Sequence, residues 1–154
     1  MIKVITTNII EQTGVLDLVW RVFKEFEAPE YSDEGIQEFQ NFIVLDSVKK
    51  RLGSGKLLMW GYWVNDKIVG MIATKPPCHI SLLFVDKNHH RKGIAKSLFG
   101  NILDYYIENS AYDEITVNSS PYAVEFYHRL GFIDIDTEKT VNGLRFTPMK
   151  HIFR

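Results

Sequence analysis

The stretch HISLLFVDKNHHRKGIAKSLFGNIL, from His79 to Leu103, carries the clearest structural pattern in the chain. Its first seven residues, His79 to Val85, are rich in β-forming residues and predict a buried strand. The apolar residues that follow Gly93 recur at helical spacing and predict a helix from about Arg91 to Ser110. A strand that leads directly into a helix opens a β-α-β unit, so we expect a right-handed crossover to a parallel strand.

The junction between this strand and this helix is positively charged. Five polar or basic residues, Asn88 to Lys92, stand directly before Gly93. Cations are unfavourable at the N-terminus of a helix because of its macrodipole. However, the free N–H groups there attract anions, and a glycine lets a ligand approach the backbone closely. The junction therefore predicts a phosphate or pyrophosphate site to which Arg91 and Lys92 add charge.

The rest of the chain supplies further strands and helices. We expect the order β-α-α-β-β-β-α-β-α-β-β, an α/β (α+β) fold with a mixed sheet and helices on its faces. The predicted strands outside the first stretch are Ile2–Thr6, Lys56–Val64, Lys67–Lys75, Ile115–Asn118 and a closing hairpin of Phe132–Val141 and Leu144–Met149. The predicted helices are about 13–26, one from the N-cap Ser32 to near Gly53, and one from Pro121 to Leu130.

Length and charge narrow the classes of function. The chain has 154 residues, which suits one domain over 1–154. A net charge of -1 argues against a nucleic-acid partner, because no general basic excess is present. No apolar run approaches the ~20 residues that span a bilayer, so we expect no membrane association. The single cysteine, Cys78, forms no intrachain disulfide and fits the cytoplasm.

Other motifs in the sequence favour ordinary structural roles. GSGKL, from Gly53 to Leu57, lacks the first glycine and the Ser/Thr of a phosphate-binding P-loop. Cys78 and His79 are consecutive strand residues whose side chains point to opposite faces, which disfavours a nucleophilic dyad. His89 and His90 are adjacent and have no partner at ligand spacing, so no metal site is predicted.

Two stretches together resemble the GNAT N-acetyltransferase superfamily, and the element order matches over nearly the whole chain. His90-Arg91-Lys92-Gly93-Ile94-Ala95 is similar to that family's acetyl-CoA motif, Gln/Arg-x-x-Gly-x-Gly/Ala. NSSPYAVEFYHRLGF, from Asn118 to Phe132, is similar to its second motif, which it matches at Ala123, Tyr127, Gly131 and Phe132.

The resemblance implies a splayed central sheet that holds acetyl-CoA. The backbone of Leu83, Phe84 and Val85 would pair with the pantetheine arm as though it were an added strand. The N–H groups from Arg91 through Lys92, Gly93 and Ile94 to Ala95 would cradle the pyrophosphate, with Lys96 beside them. Two positions depart from the family: His90 stands where Gln or Arg is usual, and Ser120 where an Asn holds the pantetheine arm. Asn118 is the alternative source of that amide.

The resemblance also implies a direct acetyl transfer to a primary amine in a ternary complex. Tyr127 matches the tyrosine that donates a proton to the CoA sulfur, and a backbone N–H near Phe84 would polarise the thioester carbonyl. His79 is the preferred base, since a histidine accepts protons near neutral pH. The alternatives are Glu25, Glu27, Glu30 or a water molecule.

The acceptor is the least constrained part of the sequence. Tyr31, Trp60 and Tyr62 are the candidate acceptor-binding residues, and strand alternation places Trp60 and Tyr62 on one face. The acceptor is a small-molecule or a peptide amine. The alternative function is a non-catalytic regulatory module that binds acyl-CoA. A homodimer is common in the family, so the resemblance allows one here.

Overall fold

The computed structural model describes residues 1–154 and contains an eight-stranded mixed sheet and six helices. The strands are β1 (Ile2–Val4), β2 (Leu58–Val64), β3 (Lys67–Lys75), β4 (His79–Val85), β5 (Glu114–Ser119), β6 (Ile133–Asp134), β7 (Lys139–Val141) and β8 (Leu144–Ile152). The helices are α1 (Ile10–Thr13), α2 (Val15–Phe26), α3 (Asp33–Phe42), α4 (Leu45–Gly53), α5 (Ile94–Asn109) and α6 (Val124–Arg129). None of the six helices has both the length and the apolar character needed to cross a bilayer.

The sheet is built from two antiparallel groups that meet at one parallel contact. The strand order is β1-β2-β3-β4-β5-β8-β6, and β7 pairs with β8. Only β4 and β5 are parallel, and α5 connects them as the sequence predicts. The predicted mixed α/β architecture is confirmed.

Each face of the sheet carries its own apolar core. On one face, α2 buries Val15, Leu18, Val19, Val22 and Phe23, which recur at helical spacing. On the other face, α5 buries Ile94, Leu98 and Ile102 against β3 and β4. Gly70 of β3 lets α5 pack closely, since a Cβ there would lie 3.0 Å from Ile94 Cγ2.

The predicted second helix is wrong in one respect, because it is two helices. Ser32 is the N-cap of α3 as predicted, and its hydroxyl accepts from the Gly35 N–H at 3.2 Å. The helix ends at Phe42, and Val44 is extended with φ -60° and ψ 132°. The β-branched pair Ile43–Val44 disfavours continuation. The Arg51 guanidinium then donates to the Phe42 carbonyl and fixes the corner.

Other predicted boundaries also shift, and two of these shifts have a clear local cause. The helix predicted from Arg91 begins at Ile94, because Arg91 and Gly93 have left-handed φ angles of 63° and 79°. The strand predicted over Phe132–Val141 is interrupted between β6 and β7. There the Asp136 carboxylate accepts from the Thr137 N–H at 2.7 Å and makes a local turn.

The contact between β4 and β5 is short, and the strands part beyond it. They are in register only at His79–Thr116 and Ile80–Val117. Next along β4 comes Ser81, an extra residue between the β3 pairings of Ile80 and Leu82. Such a bulge turns a strand out of its ladder. The far ends of β4 and β5 therefore splay, and a cleft opens between them.

Candidate active site

The cleft between β4 and β5 has two halves that share one wall. The α5 half has a volume of about 580 Å3 and is lined by the start of α5, by α6 and by the end of β4. The hairpin half has a volume of about 530 Å3 and is lined by α3, by β5 and by the β7–β8 hairpin. The residues that line both halves are Glu27, Leu83, Phe84, Ala123 and Tyr127.

Peptide groups of β4 face this cleft at alternate residues. The Asp86 N–H donates to the Val69 carbonyl of β3 at 2.7 Å. In an antiparallel pair alternate residues share an orientation, so the Phe84 peptide groups also face β3. The N–H that the sequence places near Phe84 is therefore not that of Phe84 itself. Leu83 and Val85 are the residues whose peptide groups face the cleft.

The start of α5 presents unpaired N–H groups to the α5 half. No side chain caps Gly93, and the first intrahelical bond here joins the Ser97 N–H to the Gly93 carbonyl at 2.9 Å. Arg91, Gly93, Ile94, Ala95 and Lys96 line this half, whereas Lys92 does not. Neither basic side chain before the helix is within ion-pair distance of a carboxylate. The local positive charge is left for an anion.

His90 has a structural contact within the α5 half. Its Nε2 lies 2.7 Å from the Val85 carbonyl oxygen, so Nε2 carries the proton and donates. Its ring packs against Phe26 with centroids 5.1 Å apart. His90 therefore anchors the loop to the end of β4. Its hydrogen bond also occupies the Val85 carbonyl, so this peptide group is not available to a ligand.

Glu27 is the carboxylate that both halves share. It follows the end of α2 and is half-buried, and its burial raises the pKa of its carboxyl group to about 7. The Ser120 hydroxyl opposes this rise. At neutral pH such a group exchanges a proton readily.

Tyr127 is the phenol on the same shared wall. Only 4% of it is exposed. Burial, and next the nearby Glu27 charge, raise the pKa of Tyr127, so the phenol keeps its proton at neutral pH. Its ring is fixed edge-on to Phe126 and Phe132 at centroid distances of 5.3 and 5.2 Å. A protonated donor thus stands beside an ionisable acid.

The other two candidate carboxylates lie outside the cleft. Glu25 pairs with Lys87 at 2.8 Å, and both side chains are exposed. Glu30 pairs with Arg145 at 3.2 Å on the outer side of the hairpin half. Neither lines the cleft.

His79 is not brought to the shared wall, which contradicts its selection as the preferred base. It stands at the start of β4, before the bulge, and does not line either half. Its Nδ1 lies 2.8 Å from the Thr116 hydroxyl oxygen. Burial, with the charge of Lys75, lowers the pKa of His79 to about 4. The histidine is therefore neutral at pH 7 and fastens β4 to β5.

The structure separates the three candidate acceptor residues. Tyr31 lines the hairpin half. Trp60 is only 8% exposed and packs edge-on to Tyr105 of α5 at 5.4 Å. Tyr62 packs in the same core. Trp60 and Tyr62 do share a face as predicted, but it is the α5 face of β2, two strands away from the cleft.

The two candidates on β5 and after it both line the hairpin half. Asn118 is exposed, whereas Ser120 is 8% exposed beside Glu27 and Tyr31. The β7–β8 hairpin was predicted from the sequence, but no sequence pattern indicates that its residues Val141, Asn142, Leu144, Arg145 and Phe146 line the cleft. No group of three His, Cys, Asp or Glu side chains is placed to hold a metal ion.

Comparison with known proteins agrees with this geometry. The sequence model of a family described as "Acetyltransferase (GNAT) domain" matches residues 27–153. The UPF0157 protein YqkA of Bacillus subtilis is 30% identical over 87 residues, which are 54% of this chain and 25% of YqkA. The match therefore spans about a quarter of that longer relative.

Solved structures share the fold at low sequence identity. The PaiA N-acetyltransferase of Thermoplasma acidophilum, solved in complex with coenzyme A, superposes with a TM-score of 0.83 at 17% identity, covering 99% of this chain and 98% of that one. A GCN5-related N-acetyltransferase from Rhodopseudomonas palustris gives a TM-score of 0.82 at 18% identity, covering 99% and 95%.

Proposed function

The chain belongs to the GNAT acetyltransferase family, and we propose that it transfers the acetyl group of acetyl-CoA directly to a primary amine in a ternary complex. The observation that carries this proposal is the shared wall of the cleft. Glu27 and Tyr127 line both halves there, so each side chain reaches a donor in one half and an acceptor in the other.

The residues of the α5 half fit the donor. The pyrophosphate of acetyl-CoA would lie against the N–H groups at the start of α5, with Arg91 and Lys96 near its charge. The pantetheine amides would bond to the Leu83 carbonyl and the Val85 N–H, which leaves the Leu83 N–H free for the thioester. Acetyl-CoA supplies the activated thioester, which would lie at the shared wall.

Acetyl transfer to an amine requires side chains of this protein to remove a proton from the amine nitrogen and to supply one to the thioester sulfur. A primary ammonium has a pKa of about 10.4, so the acceptor must lose a proton before its nitrogen attacks. The Glu27 carboxylate, with a pKa of about 7, takes that proton directly or through a water molecule. A C–N bond forms as the C–S bond breaks, and the Tyr127 hydroxyl donates its proton to the departing sulfur. The attacking nitrogen then releases its second proton, which returns through water to the Tyr127 oxygen and restores the phenol. The Leu83 N–H is the donor to the carbonyl oxygen.

The hairpin half fits a cationic acceptor. Aromatic side chains of Tyr31, Phe39 and Phe146 line it, and the two carboxylates Glu27 and Glu38 face one ammonium group, that of Lys75. Such rings attract ammonium groups through their π faces. The Arg145 guanidinium at the rim is neutralised by Glu30 and Glu138, so it does not repel the amine.

A turnover assay tests the function. The protein is incubated with acetyl-CoA and a panel of primary amines, while release of the CoA thiol is followed and the acetylated amine is identified by mass. We expect amine-dependent thiol release with at least one amine. Tight CoA binding without release for any amine would contradict the proposed activity and favour the regulatory module.

A further inference from the structure

We infer that close contact between Gly35 of α3 and Gly143 of the β7–β8 hairpin fixes the hairpin as one wall of the hairpin half, so that the site accepts a small free amine and excludes amines on a folded protein. The inference rests on the proposed function, because it assigns the acceptor of that same site. The residues concerned, Glu30, Ser32, Gly35, Gly143 and Arg145, are called the clasp.

The centre of the clasp is a contact between two backbones. A Cβ added to Gly35 would overlap the carbonyl oxygen of Gly143, and a Cβ added to Gly143 would overlap the Gly35 N and the Ser32 hydroxyl. Gly143 also has a left-handed φ of 79°, which a side chain would strain. Each position therefore requires glycine for the hairpin to reach α3.

Polar contacts flank this glycine pair on both sides. The Ser32 hydroxyl accepts from the Gly35 N–H at 3.2 Å and donates to the Gly143 carbonyl at 3.5 Å. Arg145 Nη1 donates to the Glu30 carbonyl at 3.3 Å and to its carboxylate at 3.2 Å. One hydroxyl and one guanidinium thus tie the hairpin to the segment between α2 and α3.

The clasp joins opposite walls of the hairpin half. Tyr31 lies between Glu30 and Ser32 and lines one wall, while Leu144 and Phe146 line the other. The volume of the hairpin half, about 530 Å3, lies in the range of a small-molecule pocket. A lysine on a folded protein brings its surrounding surface with it, and that surface would meet the hairpin before its amine reached Glu27.

The substitution Gly35→Ala tests the clasp. Alanine is favoured over glycine inside a helix, so α3 persists and the overlap is relieved by movement of the hairpin. The readouts are kcat and KM for the best small amine of the panel, and acetylation of surface lysines on folded lysozyme. We expect the KM of the small amine to rise about 10-fold with little change in kcat, and lysozyme acetylation to increase.

Gly100→Ala is the matched control, since Gly100 is also helical and a Cβ there would meet nothing within 4 Å. Gly100→Ala should leave kcat and KM for the small amine, and the acetylation of lysozyme, unchanged. Arg145→Gln removes the ion pair with Glu30 without adding bulk. It should also raise the KM of the small amine and increase lysozyme acetylation, so the clasp can still be tested if Gly35→Ala misfolds.

Two results would overturn the clasp while the proposed function stands. In one, the wild-type protein acetylates lysozyme as efficiently as small amines. In the other, both clasp variants leave the preference between the two acceptors unchanged. If no amine at all is acetylated by the wild-type protein, the proposed function is overturned, and the clasp with it.

Discussion

Glu27 is the C-cap residue of α2 and places a charged side chain at the end of the buried stripe of that helix. Val15, Val19 and Phe23 lie on one stripe at intervals of four residues, and each is fully buried. Glu27 is the next position on that stripe. Its role could therefore have been predicted from the sequence, since a carboxylate that extends an apolar stripe faces the interior. Glu25 and Glu30 fall off the stripe and pair with cations at the surface.

The pH dependence of catalysis follows from the pKa of Glu27. A base must be deprotonated, so kcat/KM for the amine should rise as pH increases through about 7. Glu27→Gln should remove this ionisation and lower kcat/KM by about 10²-fold at pH 8. The measurement is a pH–rate profile from about pH 5.5 to about pH 9, read at saturating acetyl-CoA.

Two variants serve as controls for that profile. Glu25→Gln changes a surface carboxylate of the same type and should keep the ionisation. His79→Asn removes a group whose pKa of about 4 lies below this range, and should keep it too. An ionisation near 7 that persists in Glu27→Gln and vanishes in His79→Asn would contradict the assignment.

Helices with a regular spacing of apolar residues could be predicted from the sequence, whereas a helix break and a β-bulge could not. The periods of α2 and α5 follow from buried residues that repeat along one helix. The helix break at Ile43–Val44 contains no glycine or proline that would indicate it in the sequence. It is stabilised by the hydrogen bond from the Arg51 guanidinium to the Phe42 carbonyl. The bulge at Ser81 likewise depends on a register with β3 that no local pattern encodes.

We expect the start of α5 to contribute to binding of the pyrophosphate of acetyl-CoA and not to binding of the thioester. S-acetylpantetheine carries the thioester without the pyrophosphate. Arg91→Ala and Gly93→Ala should therefore raise the KM of acetyl-CoA by about 10-fold and leave that of S-acetylpantetheine nearly unchanged. Initial rates with the two donors, in wild-type protein and in both variants, make the comparison.

Lys92→Ala is the matched control, because Lys92 shares the loop but does not line the α5 half. It should raise the KM of acetyl-CoA less than Arg91→Ala does. Equal losses with both donors in Arg91→Ala would instead indicate that the whole cleft is distorted, and would contradict a pyrophosphate site at this helix.

For the whole molecule, the splay leaves the sheet in two groups of strands. β1 to β4 form one group and β5 to β8 the other, and only two residue pairs of β4 and β5 join them within the sheet. The element order could be predicted from the chain, but the width of the opening arises only when both groups pack against α5. A donor that fills the opening binds the native state and should stabilise it.

This stabilisation should be measurable as a shift in melting temperature. CoA at about 100 times its dissociation constant adds ~2.7 kcal/mol, which for a chain of this length raises Tm by about 5–10 °C. Pantetheine at the same concentration should raise it less, because it lacks the charged part. Equal shifts for the two ligands, or no shift with CoA, would contradict the proposed binding mode.

Direct transfer requires that both substrates be held together at the wall shared by Glu27 and Tyr127. Initial rates with acetyl-CoA and amine both varied, in wild-type protein and in Tyr127→Phe, test it most directly. For direct transfer we expect intersecting double-reciprocal lines, no acetylated protein when amine is omitted, and a kcat about 10-fold or more lower in Tyr127→Phe at an unchanged KM for acetyl-CoA. Parallel lines with an acetylated protein intermediate, or an unchanged kcat in Tyr127→Phe, would contradict it.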